Sequence, residues 1–138
     1  MENQTRDLSR TKHNADAITI PPYYPDALQI RQVMAQYYDN VGDIDSALSG
    51  ILETLVVDGL AEDTIIFFFS DHGTGVPRSK RSPYNSGLHV PLIIHVPQKF
   101  EHLTNLTAGT KTDDIVSFID FAPTVLALTN GQIPSHLQ

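Results

Sequence analysis

The 138-residue chain carries nine Lys plus Arg against sixteen Asp plus Glu, a formal net charge of -7, with 41% hydrophobic and 18% charged residues. That length bounds it to at most one domain, and the composition is globular, not disordered. The acidic balance argues against a surface for duplex nucleic acid or an anionic membrane, and the absence of cysteine excludes disulfides, thiolate metal sites and a cysteine nucleophile within these residues.

No apolar run approaches the length of a membrane span, and Met1 to Asp7 lack the hydrophobic core of a signal peptide. Asn3-Gln4-Thr5 and Asn105-Leu106-Thr107 fit the N-glycosylation acceptor pattern, which often arises by chance. Residues 1–17 are polar without apolar periodicity, so 1–20 is read as a loop or frayed end and 21–138 as the folded part. Ile18 to Asp26 is extended, because a residue that precedes a proline is pushed out of the helical region. Ile30, Val33, Met34, Tyr37, Val41, Ile44, Leu48, Ile51, Leu52 and Leu55 then recur at spacings of three and four. They form the apolar stripe of a long amphipathic helix, with Asp26 as its expected N-cap and Gly59 as its expected stop.

Leu60–Asp63 reads as a turn into a strand over Thr64–Ser70, an uninterrupted apolar run covered on both faces like the central strand of an α/β sheet. Residues 73–90 form a long loop rich in Gly, Pro, Ser and cations, a length that points to function. Val90–Pro97 reads as a second strand and Ile115–Ser117 as a short third one. Asp120–Thr129 reads as a helix with Pro123 in its first turn and Asn130-Gly131 as its stop.

The strand at 64–70 ends on Asp71 and His72, a hard oxygen donor beside an imidazole. Ligands collect at the carboxyl ends of strands in open α/β sheets, so this pair reads as half of a metal site. The simpler alternative is that Asp71 caps the following turn and His72 bonds locally. Arg78, Lys80 and Arg81 follow on the loop, where a run of cations is ordinarily just solvated. His95, inside an apolar strand, reads as a core or edge histidine, while His13, His102 and His136 sit in polar surroundings without a nameable partner. Asp43 and Asp45 are two apart on a helix and face each other poorly. Asp113-Asp114 reads as a solvated turn.

Ser70-Asp71-His72-Gly73, then Lys80, then Tyr84-x-x-Gly87-x-x-x-Pro91, then Asp120-Phe121-Ala122-Pro123-Thr124 make four ordered motifs. Together with Tyr37-Tyr38-Asp39 and Ile44-Asp45 on the long helix, they resemble the sulfatase family of the alkaline-phosphatase superfamily from Pro21 onward. Pro77-Arg78-Ser79-Lys80-Arg81 is most similar to members acting on sulfated sugars, heparan N-sulfatase-like ones included. The resemblance implies an α/β, alkaline-phosphatase-like sandwich, a mixed and mostly parallel sheet with helices on both faces, present here only as a partial domain.

The resemblance further implies a sulfuric ester hydrolase whose Asp71 and His72 help hold a calcium ion. Lys80 would contact the sulfate, and Arg78 and Arg81 would bind an acidic sugar of a sulfated carbohydrate. His89 falls where many sulfatases have arginine and is read as structural. The family's formylglycine nucleophile arises from a Cys/Ser-x-Pro-x-Arg motif, which this sequence does not contain, and the amino-terminal Asp-Asp ligands are also missing. The chain is therefore expected to be the later part of a catalytic domain, lacking the nucleophile-bearing part and a carboxy-terminal subdomain. Two other readings stay open: a phosphodiesterase or phosphoryl hydrolase of the same superfamily, because Asp-His also suits zinc or manganese, and a catalytically inert truncated protein. Periplasmic, extracellular or lysosomal placement is implied by the family only, and the oligomeric state is open.

Overall fold

A computed structural model describes residues 11–105 and 107–135. The acceptor pattern at Asn3, Leu106 of the second pattern, and His136 lie outside the described residues. The chain divides into two compact units, residues 1–95 and 96–138.

In the first unit the apolar stripe forms α1, Leu28–Val57. Its N-cap is Ala27, with no side-chain cap, so Asp26 does not take the expected role. Asp26 instead grips Arg31 in a bidentate pair, Oδ1 to Nε at 2.5 Å and Oδ2 to Nη2 at 2.7 Å. Two charge-assisted bonds are a stronger use of a carboxylate than one bond to a helix amide. The helix stops where expected: Gly59 sits at φ +71, its N–H bonds the Val56 carbonyl, and the Leu60 N–H bonds the Leu55 carbonyl. This is a Schellman closure, which satisfies carbonyls the helix leaves without partners.

Residues 11–20, where polar composition pointed to a loop, fold onto α1. A 3-10 turn at Ala15–Ala17 brings Ile18 against Met34 and Ala35, the buried core, with Ile20, Tyr24, Ile30, Tyr37 and Val76 packed around it. Arg31 Nη1 donates to the Asp16 and Ile18 carbonyls at 3.0 Å each. Asp39, only 4% exposed, accepts the Lys12 N–H at 2.7 Å, the His13 N–H at 3.0 Å and His13 Nδ1 at 2.6 Å. Burial alone would raise its pKa, but those three bonds and the charge of His13 outweigh it, and the carboxyl is held below its ordinary range.

The expected strands are present in shorter form as β1, Ile66–Phe69, and β2, Leu92–His95. They pair antiparallel, Ile66 opposite His95 and Phe69 opposite Leu92. Among the described residues this two-stranded sheet is the whole sheet, so a mostly parallel sheet with helices on both faces is not formed by them. Nor is β1 covered on both faces: three of its residues are half-buried and Phe69 is 42% exposed. One sheet face, carrying Ile66, Phe68, Ile93 and His95, looks toward the carboxy-terminal half of α1 across an open apolar groove of about 570 Å³. The loop after β1 contains one short helix, α2, Asn85–Leu88.

In the second unit a 3-10 segment spans Gln98–Leu103. Ser117 and Asp120 form a capping box over Phe118–Asp120, which leads into α3, Phe121–Leu128. Asn130 at φ +55 and a bond from the Gly131 N–H to the Leu126 carbonyl end α3 as expected. Ile115–Ser117 is not a strand: the residues form no ladder among those described, and Ile115 is 99% exposed. β-branched residues favour extended backbone, but a strand needs a neighbour to take its hydrogen bonds. No helix among the described residues is long and apolar enough to cross a membrane.

Candidate functional site

β1 delivers the chain to Ser70, whose N–H still bonds across to the Pro91 carbonyl at 3.2 Å. There the ladder ends. The Ser70 hydroxyl donates to the His72 carbonyl at 2.6 Å, folding the chain into a tight turn. Asp71 and His72 therefore project from the end of the sheet, with Asp71 Oδ1 3.5 Å from His72 Nε2.

His72 Nδ1 lies 2.7 Å from the Gly73 carbonyl oxygen. A carbonyl can only accept, so Nδ1 carries the proton, and in a neutral ring Nε2 then presents its lone pair. That lone pair faces a carboxylate oxygen. The Asp71 side chain is 79% and that of His72 38% exposed, so water or a shared cation can reach both acceptors. Fixing one ring nitrogen to a backbone carbonyl is also how metal-binding histidines are commonly oriented. The donor set, one carboxylate and one imidazole, suits part of a divalent cation's shell but is far short of the six to eight oxygens calcium takes. Among the described residues no group of three or more His, Asp or Glu could hold a metal ion.

The cation loop is tied back to this turn through main chain. The Lys80 N–H donates to the Thr74 carbonyl at 2.9 Å, and the Gly73 N–H to the Gly87 carbonyl at 3.3 Å. A further bond from the Ser82 N–H to the Ser79 carbonyl at 3.0 Å closes a turn with Lys80 and Arg81 at its two corners. Arg81 sits at φ +64 and Arg78 at φ +62, a region that disfavours residues other than glycine and recurs at functional loops. All three cationic side chains are exposed. Arg78 lies 6.0 Å from the centroid of the Tyr84 ring, at the outer limit of cation–π range.

The structure thus brings Asp71 and His72 together and anchors the backbone of Lys80 near them, with Arg78 and Arg81 on either side of it in the chain. Features that the sequence did not single out make this possible. Ser79, between two exposed cations, is 2% exposed and donates to the Ser86 carbonyl at 2.7 Å. The Ser86 hydroxyl donates to the Arg78 carbonyl. The Tyr24 hydroxyl donates to the Pro77 carbonyl. Burial, then the neighbouring Tyr23, raise the Tyr24 pKa against the opposing charge of Arg78, so the phenol keeps the proton it donates. His13, without a nameable partner in the sequence, binds Asp39; no local pattern signals a pair 26 residues apart. His89 closes α2, its N–H bonding the Asn85 carbonyl, and His95 is exposed at the end of β2.

Comparison with known proteins agrees with the motifs. The sulfatase family profile matches residues 2–131. An ulvan-active sulfatase of Formosa agariphila is 41% identical over 119 residues, covering 86% of this chain and 19% of that protein. An endo-4-O-sulfatase of Bacteroides thetaiotaomicron is 30% identical over 131 residues, covering 89% of this chain and 24% of that protein. The N-sulphoglucosamine sulphohydrolase of Homo sapiens is 29% identical over 119 residues, covering 86% and 23%. The chain thus spans about a fifth to a quarter of the length of these relatives. A comparison with the solved structures finds no match. With the family profile spanning nearly all of its length and the strand-end Asp-His turn in place, the chain belongs to the sulfatase family.

Proposed function

We propose that this chain is part of a sulfuric ester hydrolase acting on a sulfated carbohydrate, and that it contributes a calcium half-site and a sulfate-contacting lysine. Family membership supports the reaction class. The observation that carries the site is the apposition of Asp71 Oδ1 and His72 Nε2 at 3.5 Å with Nδ1 committed to the Gly73 carbonyl. The relatives named above are sulfatases or sulphohydrolases, which favours sulfate over phosphate esters. Residues 21–138 are read as the later part of the catalytic domain, their helix and strands belonging to a larger α/β sandwich.

In this reading Asp71 and His72 hold one divalent cation, with the remaining ligands supplied from outside these residues. When bound, the cation offsets the negative charge of the sulfate group and orients it. The Gly73 carbonyl keeps the His72 ring in the tautomer whose free lone pair points toward Asp71. Lys80, at the corner of its turn, directs its ammonium to the ester's bridging oxygen and stabilises the charge that grows there as the S–O bond breaks. Arg78 and Arg81 pair with the carboxylate or sulfate groups of an acidic sugar, for which planar guanidinium groups are suited. The formylglycine nucleophile typical of the family has no precursor motif in this sequence.

The test is a chimera in which residues 11–131 replace the matching segment of the ulvan-active relative, assayed on that relative's own substrate. Lys80→Ala is expected to lower kcat about 100- to 1,000-fold, the effect of losing one preorganised charge-stabilising group, while Asp71→Ala abolishes metal-dependent turnover. Turnover unchanged by Lys80→Ala removes that residue from the mechanism. A chimera that folds but is inactive with every wild-type residue in place supports an inert segment instead.

A further inference from the structure

We infer that Ser79 is a positioning residue of this site, its buried hydroxyl holding Lys80 at a set separation from the Asp71–His72 turn. The inference rests on the proposed roles of Asp71, His72 and Lys80 and adds the part that connects them.

A serine between Arg78 and Lys80 on an exposed loop has no evident reason to be buried, yet Ser79 is 2% exposed and is the largest fully buried side chain among the described residues. Its hydroxyl donates to the Ser86 carbonyl, and the Ser86 hydroxyl donates back to the Arg78 carbonyl. Ser79 therefore grips the backbone of Ser86 while Ser86 grips that of Arg78, a clasp in which each side of the loop supplies both a donor and an acceptor. The clasp lies directly against the strand-end turn. A Cβ placed on Gly73 would sit 2.4 Å from Ser79 Oγ and 2.1 Å from the Ser86 carbonyl oxygen. One on Gly87 would sit 2.3 Å from the Ser79 carbonyl oxygen. Ser79 thus fills the space between the two glycines, one of which directly follows His72.

Lys80 is held by this arrangement at its amino-terminal side. Its own N–H is bound to the Thr74 carbonyl, and the preceding residue is the clasp itself. Arg78 and Arg81, at φ +62 and +64, take conformations that an unconstrained loop would relax out of, and such conformations persist only where surrounding contacts over-determine them. The buried clasp supplies those contacts. Ser79 itself does no chemistry: its proton is committed to Ser86, and its burial keeps it from substrate.

The experiment uses the chain as it stands, with manganese(II) alone as a paramagnetic probe for the Asp71–His72 site. Line broadening is read at the Gly73 amide and at the Lys80 side-chain carbons, with α1 amides as the control for fold. In the wild-type chain both Gly73 and Lys80 are expected to broaden selectively, and Asp71→Ala to remove both effects. In Ser79→Ala the Gly73 broadening persists while the Lys80 broadening falls several-fold, with α1 unmoved. Ser86→Ala, which removes the other half of the clasp, gives the same pattern and serves where Ser79→Ala does not fold. Lys80 broadening equal to wild type in both folded serine variants overturns the inference and leaves the metal reading intact. Absence of selective broadening at Gly73 in the wild-type chain overturns the metal reading and the inference with it.

Discussion

Gly73 and Gly87 meet backbone to backbone, the Gly73 N–H donating to the Gly87 carbonyl at 3.3 Å, with no room for a side chain at either residue. Gly75, two residues on, faces open space. Gly73→Ala is therefore expected to cost about 1–3 kcal/mol through overpacking against backbone that cannot move aside. Gly75→Ala should stay within about 0.5 kcal/mol. Hydrogen exchange at the Lys80 amide reads the difference locally. Equal protection in the two variants would show that the contact between the two glycines does not hold the loop.

Two glycines of the helix region give a contrast of opposite sign. Gly59 ends α1 at φ +71 with nothing near its missing Cβ, so Gly59→Ala meets only the conformational penalty of the left-handed region, about 1–2 kcal/mol. Gly50 lies inside α1 with open space around it, and Gly50→Ala should stabilise the helix by about 0.5–1 kcal/mol. Thermal melts followed by helical circular dichroism report both changes. A Gly59→Ala variant as stable as the parent would contradict the Schellman closure.

Asp39 makes the fold of residues 11–20 acid-sensitive. Its carboxyl is held below the ordinary value of 3.8 by the His13 and Lys12 bonds, which outweigh burial, so the folded state binds that proton more weakly than the unfolded state. The contribution is fully present above about pH 3.8 and is lost as pH falls through the lower folded value. Amide exchange at Ile18 should therefore accelerate relative to mid-α1 amides, after correction for intrinsic rates, as pH falls below about 4. In Asp39→Asn that acid step should be absent. An identical acid step in the variant would place its origin elsewhere.

What was legible in the sequence was local. The three- and four-residue spacing from Ile30 to Leu55 located α1, Gly59 and Asn130-Gly131 marked two helix stops, and the apolar runs located both strands. Less legible was anything set by distant partners. Asp26 reads as a cap until Arg31 is seen to claim it. Residues 11–20 look like a loose end until Asp39 and Met34 are seen to receive them. The antiparallel pairing of β1 with β2 cannot be read from period alone, since apolar alternation describes a strand's faces and not its neighbours. At the site, residue types pointed to Asp71, His72 and Lys80. The burial of Ser79 left no trace, because a serine among cations looks solvated whether or not a glycine pair makes room for it.

The proposed holding of a divalent cation by Asp71 and His72 is tested most directly by calcium titration of the chain, followed at the His72 ring protons and the Gly73 amide. Two protein ligands leave most of the coordination shell to water, so saturation is expected only at about millimolar calcium or above. Both signals should shift together along one binding curve in the wild-type chain and stay still in Asp71→Ala. Signals that do not move, or that move equally in the variant, would contradict the account.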